Sequence, residues 1–434
     1  MGNFLKKDES VRTAQNQTVS PTGDSAPNEL HAEVAVFGER GQPWRTQEEI
    51  PPARQQALRD MSRTEPDELR AVYPFSGCHL DRGDVEWLIS EFCDEQSGRS
   101  LDLRGADLSG EDLSGLPLQN TVAGLSGRAW RVIDQSTQTA DQRKALYKKA
   151  SVNLQDSNLG NSVLSRASLT YADLRGANMS DCHIEGADLF GANLGGNRPT
   201  NLHGAVCDQE TRFNEVVIAS PAGVGPRLFD VRWNGASLTG INWSDLRKVA
   251  EETRSFHRTR KRAGDNRREH NKRRVVWYLE AAQTYGQLSS VLRAQGLNDQ
   301  ARRFTYRSEV SRFWSLLHSS LDGEKWPQFL FSLTLGAISG WGYRLYRSAV
   351  LYAATVTVFA FLYRQTSSEG GHSRYSWREA ITLSVIAFHG RSFYPNDPYP
   401  LNTGFAAVGA AEAFVGLFIE AIVIATLTRR IFSD

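Results

Sequence analysis

The sequence predicts a multidomain protein in which a soluble solenoid and a helical segment are carried on a small membrane hairpin. Three observations predict it. Between Leu154 and Leu194, nine large apolar residues follow one another in unbroken steps of five. Arg254 to Arg274 holds ten lysines and arginines and leads into a stretch with helical periodicity. The C-terminal end carries two apolar spans, Ser348 to Tyr363 and Gly404 to Thr428, joined by a shorter, half-polar segment. A bilayer core of about 30 Å needs roughly 20 helical residues. The second span meets that length outright, and the first meets it with Leu345, Tyr346 and the stems of the flanking Arg347 and Arg364, which can snorkel to the interface.

The chain of 434 residues is long enough for two to four domains. A mean hydropathy of -0.43 makes the membrane part a minority. The formal net charge of +1 argues against a strongly charged partner for the molecule as a whole. Cys78, Cys93, Cys182 and Cys207 have neither zinc-finger nor CxxC spacing and read as reduced thiols of a cytosolic body. Met1 to Ser20 lacks the apolar stretch of a signal peptide, and Lys6 does not fit the myristoylation pattern after Gly2. No phosphate loop, metal-ligand cluster or nucleophile constellation is present in the sequence, so neither an enzyme, a cofactor nor a metal site is expected.

The N-terminal arm, residues 1–42, is rich in Ser, Thr, Gln, Asn and Pro and is expected to be disordered. Residues 43–97 read as a helical cap. Asp81 or Asp84 can cap a helix in which Val85, Leu88, Ile89 and Phe92 fall at i, i+3, i+4 and i+7. This helix stands directly before the repeats, where it can cover the first open coil.

Residues 98–243 hold the repeats. Two residues before each of Leu154, Leu159, Leu164, Leu169, Leu174, Met179, Ile184, Leu189 and Leu194 sits a small residue or Val, from Val152 and Ser157 to Cys182 and Ala192. A period of five fits neither a 3.6-residue helix nor a two-residue strand. It needs a chain that turns a corner every five residues and points two side chains inward on each side. A helical insertion is expected at 128–150. After Leu194 the pattern frays, is broken over Asn214 to Trp233 with a loop signal at Pro221 to Pro226, and resurfaces at Ala236 to Leu238 and Ile241 to Trp243.

Ala177-Asn178-Met179 and Ala187-Asp188-Leu189-Phe190-Gly191-Ala192-Asn193-Leu194 closely resemble the pentapeptide-repeat family. The resemblance implies a right-handed quadrilateral β-helix of about four repeats per coil, stacked at roughly strand spacing. It is nearly silent on function. Some members of the family mimic DNA and inhibit topoisomerases and should be markedly acidic. Here Asp156, Asp173, Asp181, Glu185 and Asp188 are offset by Arg166, Arg175 and Arg198, which disfavours that role.

Residues 244–325 read as a basic helical hairpin. Arg258, Arg260, Lys261, Arg262, Arg267, Arg268, Lys272, Arg273 and Arg274 form a candidate patch. The readings are a solvated face or loop, which is favoured, a lipid-headgroup contact, and a nucleotide or nucleic-acid ligand. Nucleic acid is disfavoured because aromatic residues are not densely interleaved. Tyr278, Ala282, Tyr285 and Leu288 share one helical face; Gly296 breaks the chain, and Ala301, Phe304, Val310 and Phe313 continue on a second helix. This pair resembles a tetratricopeptide helix pair and must pack against the solenoid, the membrane domain or another subunit.

Residues 326–434 form the expected membrane domain, with an interfacial or re-entrant helix after Trp326, spans at about 345–364 and 404–428, a short helix at 376–388 and an irregular loop at 389–400. Span, half-helix, loop, span is the order of a pore-loop channel. The region resembles the two-transmembrane pore domain of potassium-type channels. The resemblance places His389, Gly390, Arg391, Ser392, Phe393 and Tyr394 at the filter, and Ala413 to Phe418 on the inner helix with its glycine hinge. The filter run of that family, Thr-Val-Gly-Tyr-Gly, is replaced here by Gly390-Arg391-Ser392-Phe393-Tyr394, which argues against potassium selectivity.

Glu412, Gly416 and Glu420 lie on one face of the second span and are candidate pore-lining residues. In a tetramer Glu420 would form an acidic ring favouring cations, and Glu412 could neutralise Arg391. If Arg391 instead lines the lumen, the pore would favour anions or be closed at rest. His389 reads as a structural hydrogen-bonding residue, with pH dependence as the alternative. Trp44 to Thr46, Tyr73 to Phe75, Asp84 to Leu88 and Tyr306 to Glu309 look like elements of bacterial pentapeptide-repeat proteins that end in an ion-channel domain. That resemblance supports reading the chain as one unit, expected as a multi-pass homotetramer in the lipid bilayer of a bacterial inner membrane, and the large body without an export signal puts both termini in the cytoplasm. A cytoplasmic protein could dock on the β-helix. The alternative is a non-conducting, membrane-anchored scaffold or a defence effector that disrupts the membrane.

Overall fold

The computed structural model describes residues 42–92, 100–135, 139–257, 267–321, 323, 325–343, 345–366, 368–369, 372–373, 375–390 and 404–432. Met1–Thr46 is one unit and Gln47–Asp434 another. Of the first, a turn at residues 42–46 is described, in which the Arg45 amide bonds the Gln42 carbonyl at 3.1 Å. The second unit begins with α1 (Pro52–Ser62) and α2 (Arg82–Phe92).

The five-residue period becomes a four-sided coil. Asn153 bridges Asp173, Asn158 bridges Asn178, Val163 bridges His183 and Ser168 bridges Asp188, all in parallel and all 20 residues apart. A side only five residues long contributes one bridge per neighbour instead of an extended strand. The corners fall at Asp156, Asn161, Arg166, Tyr171, Gly176, Asp181, Gly186 and Gly191, each with φ between +55° and +74°. Left-handed backbone at every fifth residue explains the recurrent glycine, and at the other corners it is imposed on side chains that disfavour it. Inside, all nine large apolar residues from Leu154 to Leu194, and the small residues two before each, are at most 3% exposed. Outside, side-chain amides form a ladder, Asn158 to Asp112 at 2.8 Å, Asn178 to Asn158 at 2.7 Å and Asn201 to Asn178 at 2.6 Å.

The insertion is a helix pair, α3 (Gly127–Asp134) and α4 (Ala140–Ala150). It widens the offset between coils, so that Asp107 bridges Asn153 while the residue five before it, Asp102, bridges Val122. The pair packs on the side of the solenoid through Leu125, Ala129, Ile133 and Ala150, beside Ala71 and Tyr73. The expected break at residues 221–226 does not interrupt the coils. Asn201 bridges Arg227, Val206 bridges Arg232, and Arg212 bridges Ser237. The added residues are absorbed within the coils, and Phe213, Ile218, Val231 and Trp233 fill a wider axis.

Behind the solenoid follow α5 (Ala250–His257), α6 (Arg267–Ala294) and α7 (Asn298–Ser320). The last two fold back on each other around Gly296, φ +77°. Tyr285 stacks on Phe304 and Tyr278 on His318. The buried stripe of α7 is Ala301, Phe304, Ser308, Ser311 and Ser315. Val310 and Phe313 are only half-buried, and Phe313 faces Phe329 and Trp341 at 5.5 and 5.6 Å. Serines permit a close approach, sealed by the Ser308 hydroxyl donating to the Ala282 carbonyl at 2.7 Å. Then come α8 (Trp326–Ser339), α9 (Leu345–Thr366), the short strands β1 (Ser368–Glu369) and β2 (His372–Ser373), α10 (Trp377–Phe388) and α11 (Gly404–Phe432).

A parallel stack has two open edges whose amides and carbonyls lack a next coil. Side chains satisfy them here. At the N-terminal edge Arg82, held by Glu86 at 2.7 Å, donates to the Asp112 and Ser114 carbonyls at 2.7 and 3.2 Å. The Asp81 carboxylate caps α2 by accepting the Asp84 amide at 2.8 Å. At the C-terminal edge Gln295 accepts from the Leu238 amide and donates to the Ala236 carbonyl, both at 2.7 Å. Arg303 donates to the Leu246 carbonyl at 2.5 Å and the Trp243 carbonyl at 3.3 Å. One coil earlier the Leu202 amide bonds the Arg227 carbonyl; the matching Leu228 amide, and that of Phe229, bond the Glu251 carboxylate at 2.8 and 2.7 Å.

The two hydrogen bonds of Gln295 join α6–α7 to the last coil, so Gln295→Ala is expected to lower stability by about 1–3 kcal/mol. A thermal melt of the purified protein reads this, and an unchanged midpoint would contradict the capping role.

Burial raises the Glu251 carboxyl from 4.5 to about 7. Between these values the folded chain keeps a proton that the unfolded chain has lost, so this group's contribution falls as pH rises. Glu251→Gln is therefore expected to gain stability relative to the parent as pH rises from about 4.5 to about 8, by on the order of 1–3 kcal/mol. Melts across that range check it; a pH-independent difference would contradict it.

Candidate functional site

The candidate site lies where α10 meets α9 and α11. The Ser376 hydroxyl caps α10 by accepting the Glu379 amide, and the Glu379 carboxylate accepts the Ser376 amide in return at 2.8 Å. The Arg364 guanidinium sits 4.4 Å from the centre of the Trp377 ring and ties the end of α9 to the start of α10. At about 1.5 Å per residue, the 12 residues of α10 cannot cross an apolar core. By contrast, Tyr346–Thr366 and Gly404–Ala425 are long and apolar enough to do so. Only 22% and 17% of their most apolar stretches are buried, unlike the core helices of a globular body. Val350 and Phe361 on α9, and Phe414, Leu417 and Ile424 on α11, are more than half exposed.

Glu412, Gly416 and Glu420 do share one face of α11, and that face packs on α10. Glu412 is fully buried and its carboxylate meets the Ser384 hydroxyl. The same hydroxyl lies 3.1 Å from the Val356 carbonyl of α9. One turn on, a Cβ on Gly416 would stand 2.0 Å from the Phe388 carbonyl oxygen. The glycine expected as a hinge is thus the point where α11 touches the backbone end of α10. One further turn on, Glu420 contacts His389 Nδ1. Gly390 follows with φ +67°. Tyr352 packs edge-on against Phe388 at 4.8 Å, and Tyr363 against Phe405 at 5.1 Å.

Arg391, Ser392, Phe393 and Tyr394 lie outside the described residues, and so does the suggested pairing of Arg391 with Glu412. Arg258, Arg260, Lys261 and Arg262 also lie outside them. Arg267 opens α6; Arg268 and Lys272 are exposed on its first turns, with Arg273 and Arg274 half-buried. Among the described residues no group of three or more His, Cys, Asp or Glu side chains could hold a metal ion. Sequence reasoning placed Ser384 near the end of the short helix without giving it a contact, and missed the edge caps Arg82, Glu251, Gln295 and Arg303.

The elbow below the spans is built from aromatic residues of α7 and the turn after α8. Tyr306 contacts Trp341 and Tyr343 at 6.0 and 6.1 Å. Arg347 donates to the Gly336 carbonyl at 3.1 Å, and the Ser348 hydroxyl to that of Ile338 at 2.9 Å. The helix whose Arg303 caps the solenoid therefore also touches the turn between α8 and α9.

At Gly416 a methyl group forces α10 and α11 apart. Gly416→Ala is expected to cost about 1–3 kcal/mol or more in stability. Thermal unfolding of the detergent-solubilised protein measures it, and a neutral effect would contradict the close approach.

A family model described as pentapeptide repeats matches residues 150–186, with 8 copies. No curated protein matches the sequence. Among solved structures, a pentapeptide repeat protein of the Arabidopsis thaliana thylakoid lumen is similar at 19% identity, covering 40% of this chain and 84% of its own, with a TM-score of 0.15. Rfr23, a pentapeptide repeat protein of the cyanobacterium Cyanothece 51142, is similar at 21% identity, covering 31% of this chain and 86% of its own, with a TM-score of 0.11. HetL, involved in heterocyst differentiation regulation in Nostoc sp. strain PCC 7120, is similar at 19% identity, covering 31% and 54%, with a TM-score of 0.12. The matched repeats, the bridges 20 residues apart and the filled axis together show that this chain carries a pentapeptide-repeat β-helix, followed by two helices long and apolar enough to cross a membrane.

Proposed function

We propose that the protein is an ion-channel-like membrane protein in which the β-helix and its helical hairpin control a pore formed by α9, α10 and α11 of four copies. One observation carries the reading. A helix too short to cross is held between two exposed apolar spans by contacts with both, at Ser384 and Gly416. An inserted half-helix needs sheltered backbone at its end, and neighbouring copies around a shared axis supply that shelter. The tetratricopeptide-like hairpin would couple the two parts, since α7 touches both the last coil and the elbow at Trp341. In this reading the β-helix lies in the cytoplasm, where its amide ladder offers a docking face for a protein partner, and the spans lie in a bacterial inner membrane.

A specific observation favours the second reading, a membrane-anchored scaffold without conduction. Within one chain Glu412 is buried and Glu420 faces His389, so neither carboxylate stands free as an acidic ring. Single-channel recording from liposomes, on protein whose subunit number has been measured, separates the two. The channel reading predicts currents whose cation preference changes in Glu420→Gln. A tetramer that passes no current under any ion gradient would contradict it.

A further inference from the structure

We infer that Glu412 is a proton-occupied latch that joins the half-helix α10 to both spans; the inference rests on the reading that α9 and α11 lie in the bilayer. Three oxygens meet here from three helices: the Val356 carbonyl of α9, the Ser384 hydroxyl of α10 and the Glu412 carboxyl of α11. Each of the two contacts in this chain needs one hydrogen. A carbonyl brings none, and the serine brings one. If Ser384 gives its hydrogen to an ionised Glu412, the Val356 carbonyl faces a bare oxygen at 3.1 Å. If Glu412 carries a proton, its hydroxyl donates to Ser384 Oγ, Ser384 donates to Val356, and both contacts are made. The neutral acid also avoids an ionised carboxylate in a site with no solvent exposure at membrane depth.

Among the described residues, the surroundings of Glu412 offer no cation to replace the proton. Tyr363, on α9, offers the Glu412 carboxyl a hydroxyl and no positive charge. Glu420 lies two turns away against His389. From α10 the facing group is Ser384, and α8, which also contacts α11, has no titratable residue between Trp326 and Ser339. The latch follows from the bookkeeping. Loss of the proton breaks the Ser384 relay and places two acceptors opposite each other, loosening α10 between the spans. The site therefore binds a proton as its ligand, and the position of the half-helix depends on that occupancy.

Infrared spectroscopy of the full chain in liposomes tests this without reference to conduction. At about pH 9 the ordinary carboxylates are ionised, and Glu251, raised to about 7, is ionised too. The difference spectrum of the parent minus Glu412→Gln is expected to show one carbonyl band of a protonated carboxylic acid. Ser384→Ala, which removes the acceptor, is expected to keep that band and shift it to higher frequency. An ionised-carboxylate difference in place of the acid band would overturn the assignment, as would a band that Ser384→Ala leaves unmoved. If Glu412→Gln does not fold, the Ser384→Ala comparison alone decides.

Discussion

Everything in the β-helix depends on the parallel contact between one coil and the next. Each five-residue side bonds to the coils before and after it, so no coil is stable by itself and the stack is only as secure as its two edges. The corners work against this arrangement. Asp156, Asn161, Arg166, Tyr171 and Asp181 are held in left-handed backbone that glycine would accept more readily. What holds them is the filled axis and the bonds between coils, for example the Leu159 amide to the Asn178 carbonyl at 2.7 Å and the Asn178 amide to the Ser157 carbonyl at 2.8 Å.

The edges determine the architecture on both sides. At one end a short helix offers Arg82, itself fixed by Glu86, to carbonyls that would otherwise face a missing coil. At the other, Glu251 from α5, Gln295 from the turn between α6 and α7, and Arg303 from α7 replace the next coil group by group. The α6–α7 pair is thereby bound to the solenoid through the backbone of the last coil. Buried polar contacts reinforce it, with the Tyr285 hydroxyl donating to Glu252 at 2.5 Å and Arg307 bonding the same carboxylate at 3.2 Å. Through Tyr306 and Phe313, α7 also packs on Tyr343 and Trp341 in the turn between α8 and α9.

The repeat was legible because one side of the coil equals one period, and the period is printed in Leu154 to Leu194 without a gap. The later coils were legible only in fragments, at Ala236 to Leu238 and Ile241 to Trp243, since Phe213, Val231 and Trp233 lose the five-residue spacing while the parallel bridges continue. The caps were hidden for another reason. Gln295 and Arg303 act on Leu238 and Trp243, more than fifty residues away, and nothing local marks them. In α11 the shared face of Glu412, Gly416 and Glu420 could be read from spacing alone. What that face meets could not, because the partner Ser384 sits among apolar neighbours and the role of Gly416 depends on a backbone carbonyl from another helix.

The central claim is that α10 enters the bilayer between α9 and α11. The most direct measurement is the depth of a spin label at Gly390→Cys in liposomes, read from its collisions with oxygen and with a water-soluble nickel chelate, against a label at Ser376→Cys. The account predicts that the label after α10 lies deeper than the one before it and is shielded from the chelate. Equal, fully aqueous accessibility at both positions would contradict insertion and leave a solenoid tethered by two helices.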